Sequence, residues 1–238
     1  MSAGIDVWLV DLSPQQTGLT APAEPDGMLG GPLGAVLDAR ERARAHRLAT
    51  HDDVRRFVLS HAATRQVLAS YLGTAPEVLA WDLGPHGKPG PLDRGRVRWN
   101  LSHSGERAAV AVSTSVDVGV DVQVLDPRVD TGRLARRFFP GTTPSPGATD
   151  SRQAVFQALA RKEACAKAVG GRLLDLLDLD TRRPGVVTCD TGRWAGHTWW
   201  LSDLDVPDGH VGALAVPGET PRTFRTIDWL WPAGRGAR

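Results

Sequence analysis

The sequence predicts an α+β protein of two similar halves, residues 1–113 and 114–238. Three observations carry this. A strand, helices and further strands precede about residue 113, and a comparable order follows it. Residues 118–124 alternate strictly between valine and Gly, Asp or Gln, the pattern of a half-buried strand. Residues 152–169 form a long apolar helical pattern that Gly170 and Gly171 stop. No close internal repeat accompanies the shared order. The junction between two such halves is a common place for a ligand.

Taken in order, residues 5–12 read as a strand that Ser13 and Pro14 end, followed by a Pro- and Gly-rich loop over 13–34. A basic helical pattern over 33–48 carries Arg40, Arg42, Arg44 and Arg47. Asp52 and Asp53 mark the acidic start of a second helix, which runs through Leu72 and stops at Gly73. Strand signals follow at 78–83, 97–101 and 108–113, with the loop 84–90 between the first two. Residues 140–151 are a breaker-rich loop, and strands are expected at 186–189, 198–201 and 211–216 before a Trp-rich tail. Five of the eight tryptophans lie from Trp194 onward and are expected to serve packing.

Composition limits the function classes. Of 238 residues, 41% are hydrophobic and 23% charged, and the formal net charge of +1 lacks the basic excess of a nucleic-acid surface. Cys165 and Cys189 form neither a disulfide framework nor a metal-ligand spacing. Asp6 and Asp11 interrupt the first apolar run and no basic stretch precedes it, so a signal peptide is not expected. No apolar run reaches the ~18–20 residues of a membrane span. The expected location is a reducing cytoplasm. The cations are almost all arginine: the lysines are Lys88, Lys162 and Lys167, and an ammonium is not interchangeable with a guanidinium.

Five segments offer chemistry, each beside a plainer reading. In 118–124 the valines share one face, and Gly119, Asp121 and Gln123 the other, with the acid and amide about 7 Å apart. The plainer reading is a solvated polar face. Leu159, Glu163 and Lys167 form one stripe of the 152–169 helix, either a surface ion pair or a functional pair on a mostly buried helix. Asn100-Leu101-Ser102-His103-Ser104-Gly105 joins a strand to a turn, and is either a phosphate-holding segment or a capped turn. Gly87-Lys88-Pro89-Gly90 presents a lysine from a stiff loop, free to approach a phosphate or merely solvated. Six arginines between Arg40 and Arg56 form a solvated face or a pocket for a dianion. A Ser-His-acid hydrolase is disfavoured, because adjacent Ser and His on a strand end do not reach one another and no GxSxG elbow exists.

The pieces GPHGKPG, WNLSHSGERAAVAVS, VGVDVQ and RKEACAKAVGGRL, in this order after a basic helix, resemble the Sfp-type 4′-phosphopantetheinyl transferases over about residues 40–173. The resemblance implies that family's fold, two halves related by a pseudo-two-fold axis with the ligand cleft between them. It also implies its activity, transfer of the phosphopantetheine arm of coenzyme A to a serine of an apo carrier protein with release of 3′,5′-ADP. Asp121, Gln123 and Glu163 would then hold Mg²⁺. Arg44, Gly87, Lys88, Pro89, Ser102 and His103 would form the CoA phosphate pocket with Arg56 as a further member, and Lys167 would face the pyrophosphate. Asp121, Glu163 and Lys167 would carry catalysis, with Glu163 as the base and Lys167 as the alternative.

These residue types suit the chemistry. Attack on a phosphodiester moves negative charge onto oxygens that Mg²⁺ and a lysine neutralise, and hard oxygen ligands suit Mg²⁺. Two departures stand out. Gln123 replaces the family's usual Glu and removes one negative charge, a change of about 4 kcal/mol at ~4 Å before desolvation. Leu159 replaces a usual Trp. The segment after Phe139 also lacks the usual acidic residue, which affects the carrier-facing loop. The expected partners are coenzyme A and a carrier protein of polyketide, nonribosomal peptide or fatty-acid synthesis, docked on a basic and apolar surface, with no nucleic acid or membrane and a monomeric chain. The rivals are a CoA- or carrier-binding homologue with reduced or no turnover, and a metal-dependent phosphoesterase.

Overall fold

The computed structural model describes residues 4–17, 25–140 and 152–231. Among the described residues eight strands form two four-stranded sheets. The first has the order β2-β3-β1-β8, from β1 (Ile5–Asp11), β2 (Arg98–Ser104), β3 (Arg107–Ser113) and β8 (Phe224–Asp228). The second has the order β4-β7-β6-β5, from β4 (Gly119–Val124), β5 (Gly185–Thr188), β6 (Thr198–Leu204) and β7 (His210–Pro217). The helices are α1 (Pro14–Thr17), α2 (Pro25–Gly30), α3 (Pro32–Ala35), α4 (Ala39–Ala45), α5 (His51–Leu72), α6 (Thr131–Phe138) and α7 (Arg152–Val169). The architecture is mixed α+β. Among the described residues no helix is long and apolar enough to cross a membrane.

Local chemistry sets the long helices. Thr50 caps α5 by accepting from the Asp53 N–H at 3.1 Å, and Gly73 ends it with a φ of 61°, open to glycine at no steric cost. The basic pattern over 33–48 is two helices. Asp38 interrupts it as the N-cap of α4 in a reciprocal capping box with Glu41, which satisfies two orphan N–H groups. The 13–34 loop contains the short helices α1 to α3. The strand expected at 78–83 is absent: a 3₁₀ turn at Pro76–Val78 leads to irregular chain with a single bridge between Leu83 and Pro89, because Pro76, Gly84 and Pro85 break any ladder. Strand β2 runs on to Ser104, so Ser102 and His103 lie in the strand and the turn falls at Gly105. From residue 141 the 140–151 loop, with its missing acidic residue, lies outside the described residues.

The tail supplies a strand the sequence pattern did not reveal. β8 pairs in parallel with β1 from Ile5↔Phe224 to Leu9↔Asp228, so a strand from the end of the chain joins the sheet formed by β1, β2 and β3. Val118, Val120 and Val122 pack with Leu204, Leu214 and Val216 and with Ile5 and Val7 of the other sheet, one core serving both. On the opposite face of β4, a Cβ at Gly119 would stand 2.0 Å from the Ala164 carbonyl oxygen and 2.4 Å from the Ala168 nitrogen. Glycine there lets α7 lie directly on the strand.

The two sheets meet edge to edge through side chains. Edge strand β4 points the N–H groups of Val120, Val122 and Val124 away from β7. They donate to Asn100 Oδ1 at 2.9 Å, Ser102 Oγ at 3.3 Å and Ser104 Oγ at 3.1 Å. Alternate residues of β2 thus satisfy alternate amides of β4, groups that would be costly if buried unpaired. Asn100→Ala is expected to lower stability by about 1–3 kcal/mol by orphaning the Val120 amide. Urea unfolding of the variant checks this, and an unchanged midpoint would contradict the ladder's role.

Candidate active site

A cavity of about 440 Å³ opens beside this ladder. Its walls come from α4 and α5, from the irregular chain around Trp81–Pro89, from β2, and from β4 and α7. Asp121, Gln123, Glu163, Lys167, Ser102, His103, Arg44, Gly87 and Pro89 all line it. Residues distant along the chain are gathered on one space.

Asp121 is the centre of the polar end. Its Oδ1 accepts from Lys167 Nζ at 2.6 Å and from Ser102 Oγ at 2.7 Å, and its Oδ2 accepts from Gln123 Nε2 at 2.7 Å. Ser102 also accepts from Lys167 Nζ at 2.8 Å and from the Val122 N–H. Its single hydroxyl proton and both lone pairs are engaged, which makes it a rigid link between the ladder and the acid. Gln123 offers its amide nitrogen to Asp121.

Glu163 differs. It stands one turn from Lys167 yet makes no hydrogen bond or ion pair among the described residues. Burial, then the charge of Asp121, push its carboxyl up to about 7, with Lys167 opposing. Two carboxylates on one cavity, one of them without a partner, fit a divalent cation, which would relieve their repulsion. The oxygen donors suit Mg²⁺, which keeps several waters and needs few protein ligands. No group of three or more His, Cys, Asp or Glu that could hold a metal ion occurs among the described residues.

Ser102 and His103 both line the cavity although the side chains of neighbours on a strand diverge. The His103 ring meets solvent in the opening, but protein surrounds it on most sides. That desolvation, then the charges of His61, Lys167, Arg44 and Arg56, push its pKa down to about 4. His103 is therefore neutral at pH 7 and approaches an anion as a hydrogen-bond donor.

Two expected members of the phosphate pocket do not line the cavity, although the charge of Arg56 still reaches His103. Arg56 donates to Glu106 at 2.7 and 2.9 Å, sharing that carboxylate with Arg55, and does not line the cavity. Lys88 points behind the wall formed by Gly87 and Pro89 and donates to the Ala168 carbonyl. The third lysine, Lys162, is fully buried and donates to the Phe138 and Leu177 carbonyls at 2.6 and 2.7 Å. It fastens α7 to the end of α6, and burial lowers its pKa to about 8. Leu159 is buried in α7, as its apolar character predicts.

Sequence reasoning missed the opposite end of the cavity. His61 stacks on Phe57 with ring centroids 4.0 Å apart, and its Nδ1 lies 2.7 Å from Glu41 Oε1. Arg65 Nε donates to the other Glu41 oxygen at 2.6 Å, and its guanidinium lies 4.5 Å from the Trp81 ring centre. Burial works against the charge of Glu41. The hydrogen bond and charge of His61, the Asp38 N–H and Arg65 outweigh it and hold the carboxyl below its usual range. The available signals were the Asp38/Glu41 capping pattern and the four-residue spacing of His61 and Arg65.

No family model matches the chain. Known proteins do. It is 31% identical to the 4′-phosphopantetheinyl transferase HetI of Nostoc sp., over 78% of this chain and 81% of that one. It is 32% identical to the 4′-phosphopantetheinyl transferase AcpT of Salmonella typhimurium, over 54% and 68%, and 27% identical to a 4′-phosphopantetheinyl transferase of Bacillus subtilis, over 82% and 78%. A 37% identical match to the Synechocystis sp. protein slr0495 spans 44% of each chain. These relatives define the class, a transferase enzyme. The chain belongs to the 4′-phosphopantetheinyl transferase family.

The raised carboxyl of Glu163 has a consequence for stability. The folded state holds its proton more tightly than the unfolded chain, so this group favours folding at low pH and loses that contribution as pH rises through about 7. In metal-free buffer near pH ~8, Glu163→Gln is therefore expected to exceed the parent chain in stability by about 1–3 kcal/mol, a gap that closes below about pH 5. Urea titrations with a chelator at several pH values measure it, and a variant less stable at every pH would contradict the raised carboxyl.

Proposed function

We propose that this chain transfers the 4′-phosphopantetheine arm of coenzyme A to a serine hydroxyl of an apo carrier protein, with Mg²⁺, and releases 3′,5′-ADP. The observation that carries the reading is the meeting of Asp121 from β4 with Glu163 and Lys167 from α7 on one cavity. On this reading the two halves are related by a pseudo-two-fold axis and coenzyme A occupies the cleft between them. The name shared by HetI, AcpT and the Bacillus subtilis protein supports it.

Arg44, His103 and the wall made by Gly87 and Pro89 would receive the phosphates. Asp121 and Glu163, with Gln123 if its amide turns, would hold Mg²⁺. The ion, when bound, supplies positive charge against the diphosphate. Lys167, held on Asp121 and Ser102, places an ammonium where charge develops on the leaving oxygen. Glu163, whose carboxyl no other side chain among the described residues holds, is the base for the incoming serine proton, with Lys167 as the alternative. The exposed Arg133, Arg136 and Arg137 of α6 support docking of an acidic carrier, from polyketide, nonribosomal peptide or fatty-acid synthesis. A monomer in the cytoplasm completes the proposal.

One observation favours a second reading. Gln123 stands as an amide hydrogen-bonded to Asp121 where a third carboxylate is usual, which suits a CoA- or carrier-binding homologue of reduced turnover. Intact mass of candidate apo carriers after incubation with CoA and Mg²⁺ separates the two. A phosphopantetheine-sized gain supports transfer, and binding without gain supports the second reading. Asp121→Asn is expected to cut transfer by about 100-fold or more. Gln123→Glu is expected to lower the Mg²⁺ concentration for half-maximal rate several-fold, as an added charge strengthens the site. An unchanged or raised requirement would remove Gln123 from the metal's surroundings.

A further inference from the structure

Lys88 lies in a loop whose backbone is tied at three points: Gly84 N–H to the Lys88 carbonyl at 2.8 Å, Gly87 N–H to the Gly84 carbonyl at 2.9 Å, and Gly90 N–H to the Asp82 carbonyl at 2.8 Å. Its neighbours Gly87 and Pro89 face the cavity, whereas its own side chain leaves on the other side. There the stem lies against Gly170, whose Cβ, if present, would stand 3.4 Å from Lys88 Cδ and 3.5 Å from its Cβ. The ammonium ends on the Ala168 carbonyl, 4.0 Å from Asp117 Oδ1.

That carbonyl belongs to the last turn of α7, where carbonyls have no partner within the helix. Gly171 N–H serves the Ala166 carbonyl at 2.8 Å and Gly170 N–H serves Lys167 at 3.3 Å, around Gly170 with a φ of 65°. The Ala168 carbonyl falls to Lys88. A cation at a helix C-terminus is doubly favourable, as a donor to an orphan carbonyl and as a charge opposite the helix dipole. On the other side the same turn presses on Gly119 of β4. The turn that carries Lys167 is therefore held from two directions, by a strand and by a loop lysine.

We infer that Lys88 is a positioning residue, which caps the last turn of α7 at the Ala168 carbonyl and so holds Lys167 on Asp121 and Ser102, rather than a contact to the substrate's phosphates. The inference deepens the proposed transferase reading and rests on it for its kinetic consequences alone. The loop wall and the charged helix become one unit: displacement of Gly87 and Pro89 moves Lys88, and with it the helix end.

Two measurements on the full chain test this. By hydrogen exchange, Lys88→Met is expected to speed the amides of Gly170 and Gly171 about tenfold. In transfer assays it is expected to lower kcat about tenfold with the KM for CoA held within about twofold. Lys88→Arg, which still donates to a carbonyl, should recover most of both. A KM or calorimetric Kd for CoA raised about tenfold, with exchange at Gly170 and Gly171 unchanged, would overturn the inference in favour of phosphate contact. If no transfer is detected at all, the proposed function fails while exchange and CoA affinity still decide the role of Lys88.

Discussion

The site depends on a hydrogen-bond ladder made by side chains between two edge strands. Asn100, Ser102 and Ser104 meet the amides of Val120, Val122 and Val124. A slip of one residue on β2 would turn Leu101 and His103 toward β4 and leave buried donors without acceptors. The same slip would take Ser102 away from Asp121. Register, stability and the position of the acid are therefore one constraint.

Around that ladder the charges are balanced in an uneven way. Asp121 has a lysine, a hydroxyl and an amide, and Glu163 beside it has none of these. At the far end Glu41 is held by His61 and Arg65 on both its oxygens. An anionic ligand thus meets neutral His103, Arg44 and Lys167, while the repulsion between Asp121 and Glu163 is left for a cation to relieve. A buried carboxylate without a partner costs stability, and such costs concentrate where ligands bind.

Much of the frame was legible along the chain. The valine alternation of β4 has a strand's period, and the acidic start and Gly73 stop of α5 and the Gly170-Gly171 stop of α7 act within a few residues of the backbone they serve. The stripe of Glu163 and Lys167 followed from the turn of a helix. What escaped were partners set by folding. β8 is a strand because β1 lies beside it, not because of its own pattern. Ser102 and His103 looked like turn residues until pairing with β3 extended the strand. Arg56 and Lys88 looked free until Glu106 and the Ala168 carbonyl were seen to take them.

By itself the sequence determined the α+β class, the long helices, the strand carrying Asp121 and the motifs of the transferase family. All of these rest on short-range periodicity and residue chemistry. Only the tertiary structure decided which cation faces which oxygen, that the tail adds a strand to the first sheet, and that Glu41 and His61, with Arg65 buried behind Glu41, build one end of the cavity. A lysine carries the same charge in any context. Whether it meets a phosphate or a helix end depends on which backbone folding brings within reach of its four-carbon stem.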